Sequence, residues 1–337
     1  MANAAIVNMN MNMMSTTMPT VSLKSSASGH SVRMPILGMG TAADPFDASA
    51  LKAAVPEAIR LGYRHFDTAA SYGSEQPLGE AIAEALELGL LSSREEVFVT
   101  SKLWCGDAHP NTVLPALRNS LRTLKLEYLD LYLVHWPISL KPGKDDFSIH
   151  SSDLVPMDLE SVWGGMEECQ RLGLARAIGV CNFSCKKLQN LLSFSKIPPA
   201  VNQVEMSPVW QQRKLREFCN SNGIVVTAYS PLGAKGASWG TSQVMDCEIL
   251  KDIAEATHRT VAQVSLRWVY EQGVTLLVKS TNKRRMEENL SIFDWALTEE
   301  HHRSINQIKQ QRGLSRHDFI SAHGPYKSIQ QLWDGEL

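Results

Sequence analysis

Short apolar runs alternate with longer amphipathic segments along this chain from Met34 onward. The runs are eight in number: PILGMGTA, YRHFDTA, VFVTSKLW, LDLYLVHWP, ARAIGVCNF, AVNQVEM, GIVVTAYSPL and VTLLVKS. Their nearly continuous apolar, β-branched character is typical of parallel strands that are buried on both faces. The segments between them, such as ASALKAAVPEAIRLG, have helical periodicity, and several end in the Gly that is common at helix C-termini.

This rhythm predicts an α/β protein built on a closed (β/α)8 TIM barrel, which typically takes about 250 residues. A doubly wound open sheet is the alternative, but no G-x-G-x-x-G follows the first run to hold a pyrophosphate. TVSLKSSASGHSVRMP predicts an N-terminal β-hairpin that plugs the barrel. MDCEILKDIAEATHRTVAQVSLRWVYEQG is long enough for two helices, and RGLSRHDFISAHGPYKSIQQLWDGEL predicts a C-terminal tail over the barrel.

Size, composition and charge are those of a globular protein. With 337 residues, 44% hydrophobic and 20% charged, the chain is long enough for one large barrel or two ordinary domains. The net charge of −2 gives no long-range attraction to nucleic acid or to an anionic membrane. No apolar run approaches the ~20 residues of a membrane helix. We therefore expect neither nucleic acid nor a membrane as a partner.

The N-terminal segment and the cysteines bear on localisation. Residues 1–18 are rich in Met and Asn and lack the Lys or Arg of a secretory signal or an organellar transit peptide. We interpret them as a disordered extension, with a weak targeting role left open, and residues 19–337 as a single domain. The six cysteines show neither a CxxC pair nor zinc spacing, so we expect no metal and reduced thiols in a cytoplasmic protein.

Candidate chemistry follows from the carboxyl ends of the predicted strands, where a barrel of this type builds its active site. Asp67 ends the second strand and Tyr72 lies on the loop beyond it, although this stretch alone is typical of a helix N-cap. Lys102 ends the third strand, and His135 and Trp136 end the fourth. Each alone has an ordinary structural explanation, as a solvated lysine, a core histidine or a packed tryptophan. Together at one rim, they indicate a reactive site.

The four polar groups suit the reduction of a ketone. When the carbonyl carbon accepts a hydride, its oxygen gains negative charge and must be protonated. Tyr72 is the predicted proton donor, and a nearby Lys102 ammonium is expected to lower its pKa from about 10. Asp67 would hold that ammonium, and His135 would donate a hydrogen bond to the carbonyl oxygen.

GYRHFDTAASYGSE, VFVTSKLW, LDLYLVHWP, AIGVCNFS, VNQVEMSPVWQQRKLREFC and VTAYSPLG resemble the aldo-keto reductase superfamily, in order and over nearly the whole chain from about residue 20. The resemblance places the catalytic tetrad of the family on Asp67, Tyr72, Lys102 and His135. It implies a monomer, NADP(H) bound without a Rossmann domain, and a small carbonyl substrate held by Trp104, His135 and Trp136.

The resemblance also assigns the cofactor site along the barrel mouth. Asn182 and Gln203 match the partners of the nicotinamide amide, and Tyr229 matches the ring that stacks on the nicotinamide. The other matched positions are the nicotinamide end (Gly40, Thr41, Asp67), the pyrophosphate loop (Ser230, Leu232, Gly233) and the adenosine site (Lys279, Ser280, Thr281, Arg285, Glu288, Asn289).

Charge and two departures refine this assignment. Lys279 and Arg285 near a 2′-phosphate would favour NADPH over NADH, although without the other motifs they would be taken for an exposed basic helix start. Cys181 stands where the family usually has Ser, and a thiol is a weaker hydrogen-bond partner. Val278 replaces a common Pro, a change that we expect to matter little.

The finer sequence, including SPLGAKG and HGPYKSIQQLWDGEL, resembles one plant branch of the superfamily. Enzymes of that branch reduce a ketone of a specialised metabolite with NADPH, such as the 3″-oxo precursor of deoxymugineic acid or an alkaloid ketone. The polar loop ISLKPGKDDFSIHSSDLVPMD mildly favours a polar substrate, and Lys141 and Lys144 are candidates for a carboxylate. The alternatives are a broad-specificity aldehyde and ketone reductase and a barrel with a regulatory role. A metal hydrolase is a weaker alternative because His135 has no partner His at ligand spacing.

Overall fold

Eight parallel strands close into a barrel in the computed structural model, which describes residues 18–23, 32–142 and 149–336. The strands are β1 (Thr20–Leu23), β2 (Val32–Pro35), β3 (Leu37–Gly40), β4 (His65–Asp67), β5 (Phe98–Leu103), β6 (Leu129–Val134), β7 (Ser139–Leu140), β8 (Leu154–Val155), β9 (Ala175–Cys181), β10 (Val201–Glu205), β11 (Val225–Tyr229) and β12 (Thr275–Val278). The barrel order is β3-β4-β5-β6-β9-β10-β11-β12, with β12 closing onto β3. Each barrel strand lies within one of the eight apolar runs, so the predicted TIM barrel is confirmed.

Helices surround the barrel and bury their apolar faces against it. They are α1 (Ala48–Leu61), α2 (Glu75–Glu87), α3 (Val113–Leu124), α4 (Leu159–Arg171), α5 (Cys185–Phe194), α6 (Arg213–Ser221), α7 (Glu248–Thr257), α8 (Val261–Glu271), α9 (Lys283–Leu290), α10 (Glu299–Asn306) and α11 (Ile329–Trp333). The two helices predicted between the last two barrel strands are α7 and α8. None of the described helices is long and apolar enough to cross a membrane.

Helix α1 illustrates how the sequence sets these elements. The Asp47 carboxylate accepts hydrogen bonds from the backbone N–H groups of Ser49 and Ala50, which caps the first turn. The helix ends at Gly62, whose φ of 104° is the left-handed conformation that glycine adopts without strain. Val55 is fully buried on the face between these ends, and each such side chain contributes roughly 1.5–3 kcal/mol of hydrophobic stabilisation.

The N-terminal hairpin closes one end of the barrel. β1 and β2 pair antiparallel, and Leu23 and Met34 pack in one cluster with the barrel residues Phe98, Leu131 and Leu133. The plug is therefore confirmed. The hairpin turn, residues 24–31, and the predicted extension up to residue 17 lie outside the described residues.

The loop after β6 and the C-terminal tail meet at the other end. β7 and β8 form a short antiparallel hairpin, which the sequence did not predict. Lys141 lies on this loop, while Lys144 lies outside the described residues. Phe319 and Trp333 of the tail pack against Trp104 and Trp136, so the predicted cover over the barrel is confirmed.

Candidate active site

A buried ion pair forms the floor of the site at the carboxyl end of the barrel. Lys102 of β5 donates to Asp67 Oδ1 at the end of β4 (Nζ to Oδ1, 2.5 Å) and to the Thr68 carbonyl oxygen at 2.8 Å. The Lys102 side chain is 0% exposed and that of Asp67 is 5% exposed. Gln203 of β10 donates to the second carboxylate oxygen of Asp67 at 2.8 Å. These hydrogen bonds offset the cost of burying the two charges.

Tyr72 and His135 lie above that pair and face each other. The Tyr72 hydroxyl is 3.3 Å from His135 Nε2, and the Tyr72 ring centroid is 4.8 Å from Lys102 Nζ. Burial, with the charges of Lys102 and Arg316, holds the pKa of His135 well below its ordinary value, so the imidazole is neutral at physiological pH. Ser71 Oγ lies 3.4 Å from its other ring nitrogen.

The pKa of Tyr72 differs from the sequence-based expectation. Lys102 lowers it, as predicted, but burial raises it more, and the result is a pKa of about 12. The prediction of a net lowering is therefore wrong in this structure, and Tyr72 carries its proton at neutral pH. Burial also lowers the pKa of Lys102, but Asp67 and Tyr72 more than offset this, so its pKa is raised.

The wall opposite Tyr72 consists of polar side chains from β9 to β11. The Asn182 amide nitrogen donates to the His135 carbonyl oxygen at 3.0 Å, and its oxygen accepts from the Tyr229 hydroxyl at 2.8 Å. Asn182 follows β9 with a φ of 63°, a left-handed conformation that Asn tolerates better than most residues. Cys181 lines the same wall, and burial raises the pKa of its thiol.

These groups open into a cleft of about 1230 Å³. Lys279, Ser280 and Arg285 lie at its far end, beside the start of α9. The cleft exceeds the ~300–1,000 Å³ of sites for drug-sized ligands. The amide groups of Asn182 and Gln203 at one end and the cations Lys279 and Arg285 at the other suit a long, anionic dinucleotide, so the donor set fits NADP(H).

Most of the predicted site residues line this cleft, but four do not. The lining residues are Gly40, Asp67, Tyr72, Trp104, His135, Trp136, Asn182, Gln203, Tyr229, Ser230, Leu232, Lys279, Ser280, Arg285, Glu288 and Asn289. Thr41 is buried behind the wall and bonds the Asp67 carbonyl oxygen and Ser74 Oγ, while Lys102 lies beneath the floor. Gly233 is half-buried and its carbonyl oxygen accepts from the Thr241 N–H at 2.7 Å, and Thr281 is exposed. The assignment of these four residues to the site therefore stays a prediction.

Several lining residues were missed by sequence reasoning. Leu314, Arg316 and Asp318 of the tail reach the cleft, as do Phe46 and Ser71. The tail residues carry no periodicity that would signal their position. Ser71 could have been predicted, because it directly precedes Tyr72 in the sequence. No group of three or more potential metal ligands occurs within residues 18–23, 32–142 and 149–336.

The arrangement has the chemistry of a carbonyl-reducing site. A protonated phenol and a neutral imidazole face one space, and a buried ammonium lies below the phenol ring. The Tyr72 hydroxyl, and His135 Nε2 in the tautomer that carries its proton there, would both donate to an oxygen bound beside them and stabilise negative charge that develops on it.

Comparisons with known proteins agree with this fold and site. The Aldo/keto reductase family matches residues 36–310. Deoxymugineic acid synthase 1-B of Triticum aestivum is 58% identical over 304 residues, covering 90% of this chain and 97% of that protein. NADPH-dependent codeinone reductase 1-3 of Papaver somniferum is 57% identical over 323 residues, covering 96% and 99%.

Two further relatives extend the comparison. 7-acetyl-epi-neemfruitin B aldo-keto reductase of Melia azedarach is 54% identical over 321 residues, covering 95% of this chain and 98% of that protein. The crystal structure of a Bombyx mori aldo-keto reductase in complex with NADP has a TM-score of 0.78 and 38% identity, covering 89% of this chain and 96% of that one. The chain belongs to the aldo/keto reductase family, and its resemblance to the plant ketone reductases is confirmed.

Proposed function

We propose that this protein is an NADPH-dependent carbonyl reductase that reduces a ketone of a plant specialised metabolite to the alcohol. One observation carries the proposal: the Tyr72 hydroxyl and the neutral His135 imidazole lie 3.3 Å apart at the base of a cleft that suits NADP(H). The relatives named above include a deoxymugineic acid synthase and a codeinone reductase, which supports a ketone as the substrate.

Tyr72 is the proposed proton donor. With a pKa of about 12 it keeps its proton until the carbonyl oxygen becomes basic enough to take it. Lys102 opposes the effect of burial on this pKa and stabilises the phenolate that remains after transfer. Asp67 and Gln203 hold Lys102 in place, so these two are positioning residues for the ammonium.

His135 orients the carbonyl in this proposal. Because burial keeps the ring neutral, one ring nitrogen donates and the other accepts. A donor at Nε2 would fix the carbonyl oxygen beside the Tyr72 hydroxyl. Trp104 and Trp136 line the cleft beside it with apolar surface. They would exclude water that competes for hydrogen bonds with the carbonyl oxygen.

NADP(H), when bound, supplies the hydride for reduction. Asn182 and Gln203 would hold the nicotinamide amide with the amide donors and acceptors that their present hydrogen bonds do not use. Tyr229 would stack its ring on the nicotinamide. Ser230, Leu232 and Gly233 would hold the pyrophosphate. Lys279 and Arg285 would hold the 2′-phosphate, and Ser280, Glu288 and Asn289 complete the adenosine end. Gly40 borders the nicotinamide end and Thr41 supports it from behind, while Thr281 is the least supported position because it is exposed.

The remaining expectations concern the whole protein. We propose that residues 19–337 act as one domain and that the protein is a cytoplasmic monomer, with residues 1–18 as an extension outside it. The barrel, hairpin plug and tail pack on shared clusters, which supports one domain. Sedimentation of the purified protein tests the monomer, and a fluorescent fusion tests the compartment.

The test of function is NADPH oxidation by the purified protein with a panel of carbonyls. The panel contains the 3″-oxo precursor of deoxymugineic acid, codeinone and simple aldehydes. A preference of orders of magnitude in kcat/KM for one ketone would support a dedicated biosynthetic enzyme. Flat, weak activity across aldehydes would replace this proposal with a broad-specificity reductase, and NADPH binding without any turnover would favour a regulatory barrel.

A further inference from the structure

A single guanidinium of the tail lies against the aromatic wall of the cleft. Arg316 Cζ is 4.6 Å from the centroid of the Trp136 ring and 4.1 Å from that of Phe319. Trp136 in turn stacks on His135, with ring centroids 6.1 Å apart and an interplanar angle of 22°. The charge of Arg316 also contributes to the low pKa of His135. Arg316 is therefore one aromatic ring away from the reacting end of the cleft.

The hydrogen bonds of this guanidinium are incompletely used. Its Nη2 donates to Asp318 Oδ2 at 2.7 Å, while its Nε is buried and has no hydrogen-bond partner among the described residues. The Nε atoms of Arg94 and Arg312 are also buried without a partner, but of these three arginines only Arg316 lines the cleft, where a ligand could use its remaining donors. The Asp318 side chain is 42% exposed, so its ion pair with Arg316 is weak enough for another carboxylate to compete.

The positions of the other cations make Arg316 distinctive. Among the described residues that line the cleft, three further cations occur, and all belong to the segments after β11 and β12: Lys235, Lys279 and Arg285. Arg316 is the one beside Trp136 and His135. A negative group on a substrate whose ketone reaches Tyr72 would therefore meet Arg316, with the apolar part of the substrate along Trp136.

We propose that Arg316 is a specificity-determining residue that binds the carboxylate of a ketone substrate, with Asp318 as the counter-ion that this carboxylate displaces. The inference rests on the proposed ketone reduction and names its substrate class, an anionic keto acid. A planar guanidinium suits a carboxylate because it offers two parallel N–H donors. The same charge disfavours a cationic alkaloid ketone.

The first experiment measures binding, which needs no turnover. Hexanoate and hexanamide, which have no ketone, are titrated into the full-length protein saturated with NADPH, and their dissociation constants are measured by calorimetry. We expect the wild type to bind hexanoate about tenfold more tightly than hexanamide. Arg316→Gln should abolish this difference, Arg316→Lys should keep part of it, and Asp318→Asn should increase it.

Arg312→Gln is the matched control. Arg312 also lies on the tail, over the Trp333 ring at 3.7 Å, but it does not line the cleft. This variant should keep the preference for hexanoate. Equal binding of the two probes by the wild type, or an unchanged preference in Arg316→Gln, would overturn the inference. If Arg316→Gln does not fold, Arg316→Lys and Asp318→Asn are measured instead. A preference for hexanoate that is unchanged in both variants would also overturn the inference.

Turnover then separates this inference from the proposed function. The wild type and Arg316→Gln are compared on 5-oxohexanoate and 5-oxohexanamide. The inference predicts about a tenfold rise in KM for the acid in Arg316→Gln, with kcat for both ketones retained. A lower kcat on both ketones would instead indicate that Arg316 only supports the tail. If the protein binds hexanoate as expected but reduces no carbonyl, the carboxylate site is supported and the proposed reductase function is contradicted.

Discussion

Two parts of the same cleft hold their charges in different ways. The inner cleft (Asp67, Tyr72 and His135, with Lys102 directly beneath them) is carried by barrel strands and the turns directly after them, and Lys102 is completely buried. The outer cleft (Lys279, Arg285, Arg316, Asp318) is carried by a loop, a helix and the tail, and its charges are partly or largely exposed. Electrostatic interactions are strong where water is excluded and weak where it is not.

The two parts of the cleft therefore suit different roles, the inner part chemistry and the outer part selectivity. The inner cleft has one arrangement, because moving any group would break hydrogen bonds within a closed barrel. The outer cleft can change without that cost, so it suits the choice of cofactor and substrate. Changes in the inner cleft should therefore alter kcat, and changes in the outer cleft should alter KM or preference.

The largest expected effect is that of Tyr72→Phe. Removing the proton donor should lower kcat by about 10³-fold while NADPH binding is kept, since general acid catalysis typically contributes about 10²–10⁴-fold. Rapid-reaction kinetics and a cofactor titration measure the two quantities. Tyr63→Phe is the matched control because its hydroxyl donates to the Met286 carbonyl oxygen, outside the cleft. Near-wild-type turnover in Tyr72→Phe would contradict the assignment.

Lys102→Met should lower kcat by about 10²-fold. On the sequence alone the change would be expected to spare the fold, but Lys102 is completely buried and its removal leaves Asp67 as an unpaired charge. We therefore expect a loss of about 3–5 kcal/mol in the free energy of unfolding, measured by urea denaturation. Adding Asp67→Asn should restore stability without restoring kcat. Recovery of activity in that double variant would show that the ion pair only supports the fold.

Lys279→Ala combined with Arg285→Ala tests the outer cleft at the cofactor end. The ratio of kcat/KM for NADPH to that for NADH should fall by about tenfold or more, because two charge-assisted contacts to a phosphate are lost. Lys283→Ala is the control, since Lys283 pairs with Glu57 of α1 at 2.6 Å. An unchanged ratio in the double variant would place the phosphate elsewhere.

Glu205→Gln should have the smallest effect. The buried Glu205 carboxylate accepts from the backbone N–H groups of Gly313 and Leu314 at 2.8 and 3.0 Å, and so holds the tail against β10. We expect KM for the ketone to rise severalfold with kcat retained. Glu167→Gln is the matched control: Glu167 accepts from two backbone N–H groups in the same way, on α4 and away from the cleft. A large fall in kcat for Glu205→Gln would contradict the assignment of catalysis to the inner cleft and of selectivity to the outer cleft.

The sequence predicts the inner cleft well for a physical reason. Parallel strands buried on both faces appear as nearly continuous apolar runs, and their carboxyl ends meet at one rim. Asp67, Lys102 and His135 could therefore be placed together from the sequence alone. The hydrogen bond from Gln203 to Asp67 joins residues 136 positions apart and has no local signal.

In the outer cleft the family resemblance indicated Lys279 and Arg285, but Arg316 and Asp318 were missed because tertiary contacts of the tail set their positions. Arg316 reaches the cleft through the packing of Phe319 and Trp333 on Trp136, which no periodicity in the tail indicates. The pKa of Tyr72 was misjudged for a related reason. Its charged neighbours are visible in the sequence, but the extent of its burial is not, and burial is the larger effect.

The role of Tyr72 as proton donor is tested by the pH dependence of ketone reduction in single turnovers at saturating NADPH. Tyr72 stays protonated below its pKa of about 12, and His135 stays neutral because its pKa lies well below the ordinary value. The rate should therefore be level between about pH 6 and about pH 9, with Tyr72 as the proton donor throughout. A rate that falls as the pH rises through an apparent pKa near 7 would contradict this assignment. It would indicate that a protonated His135 is the proton donor.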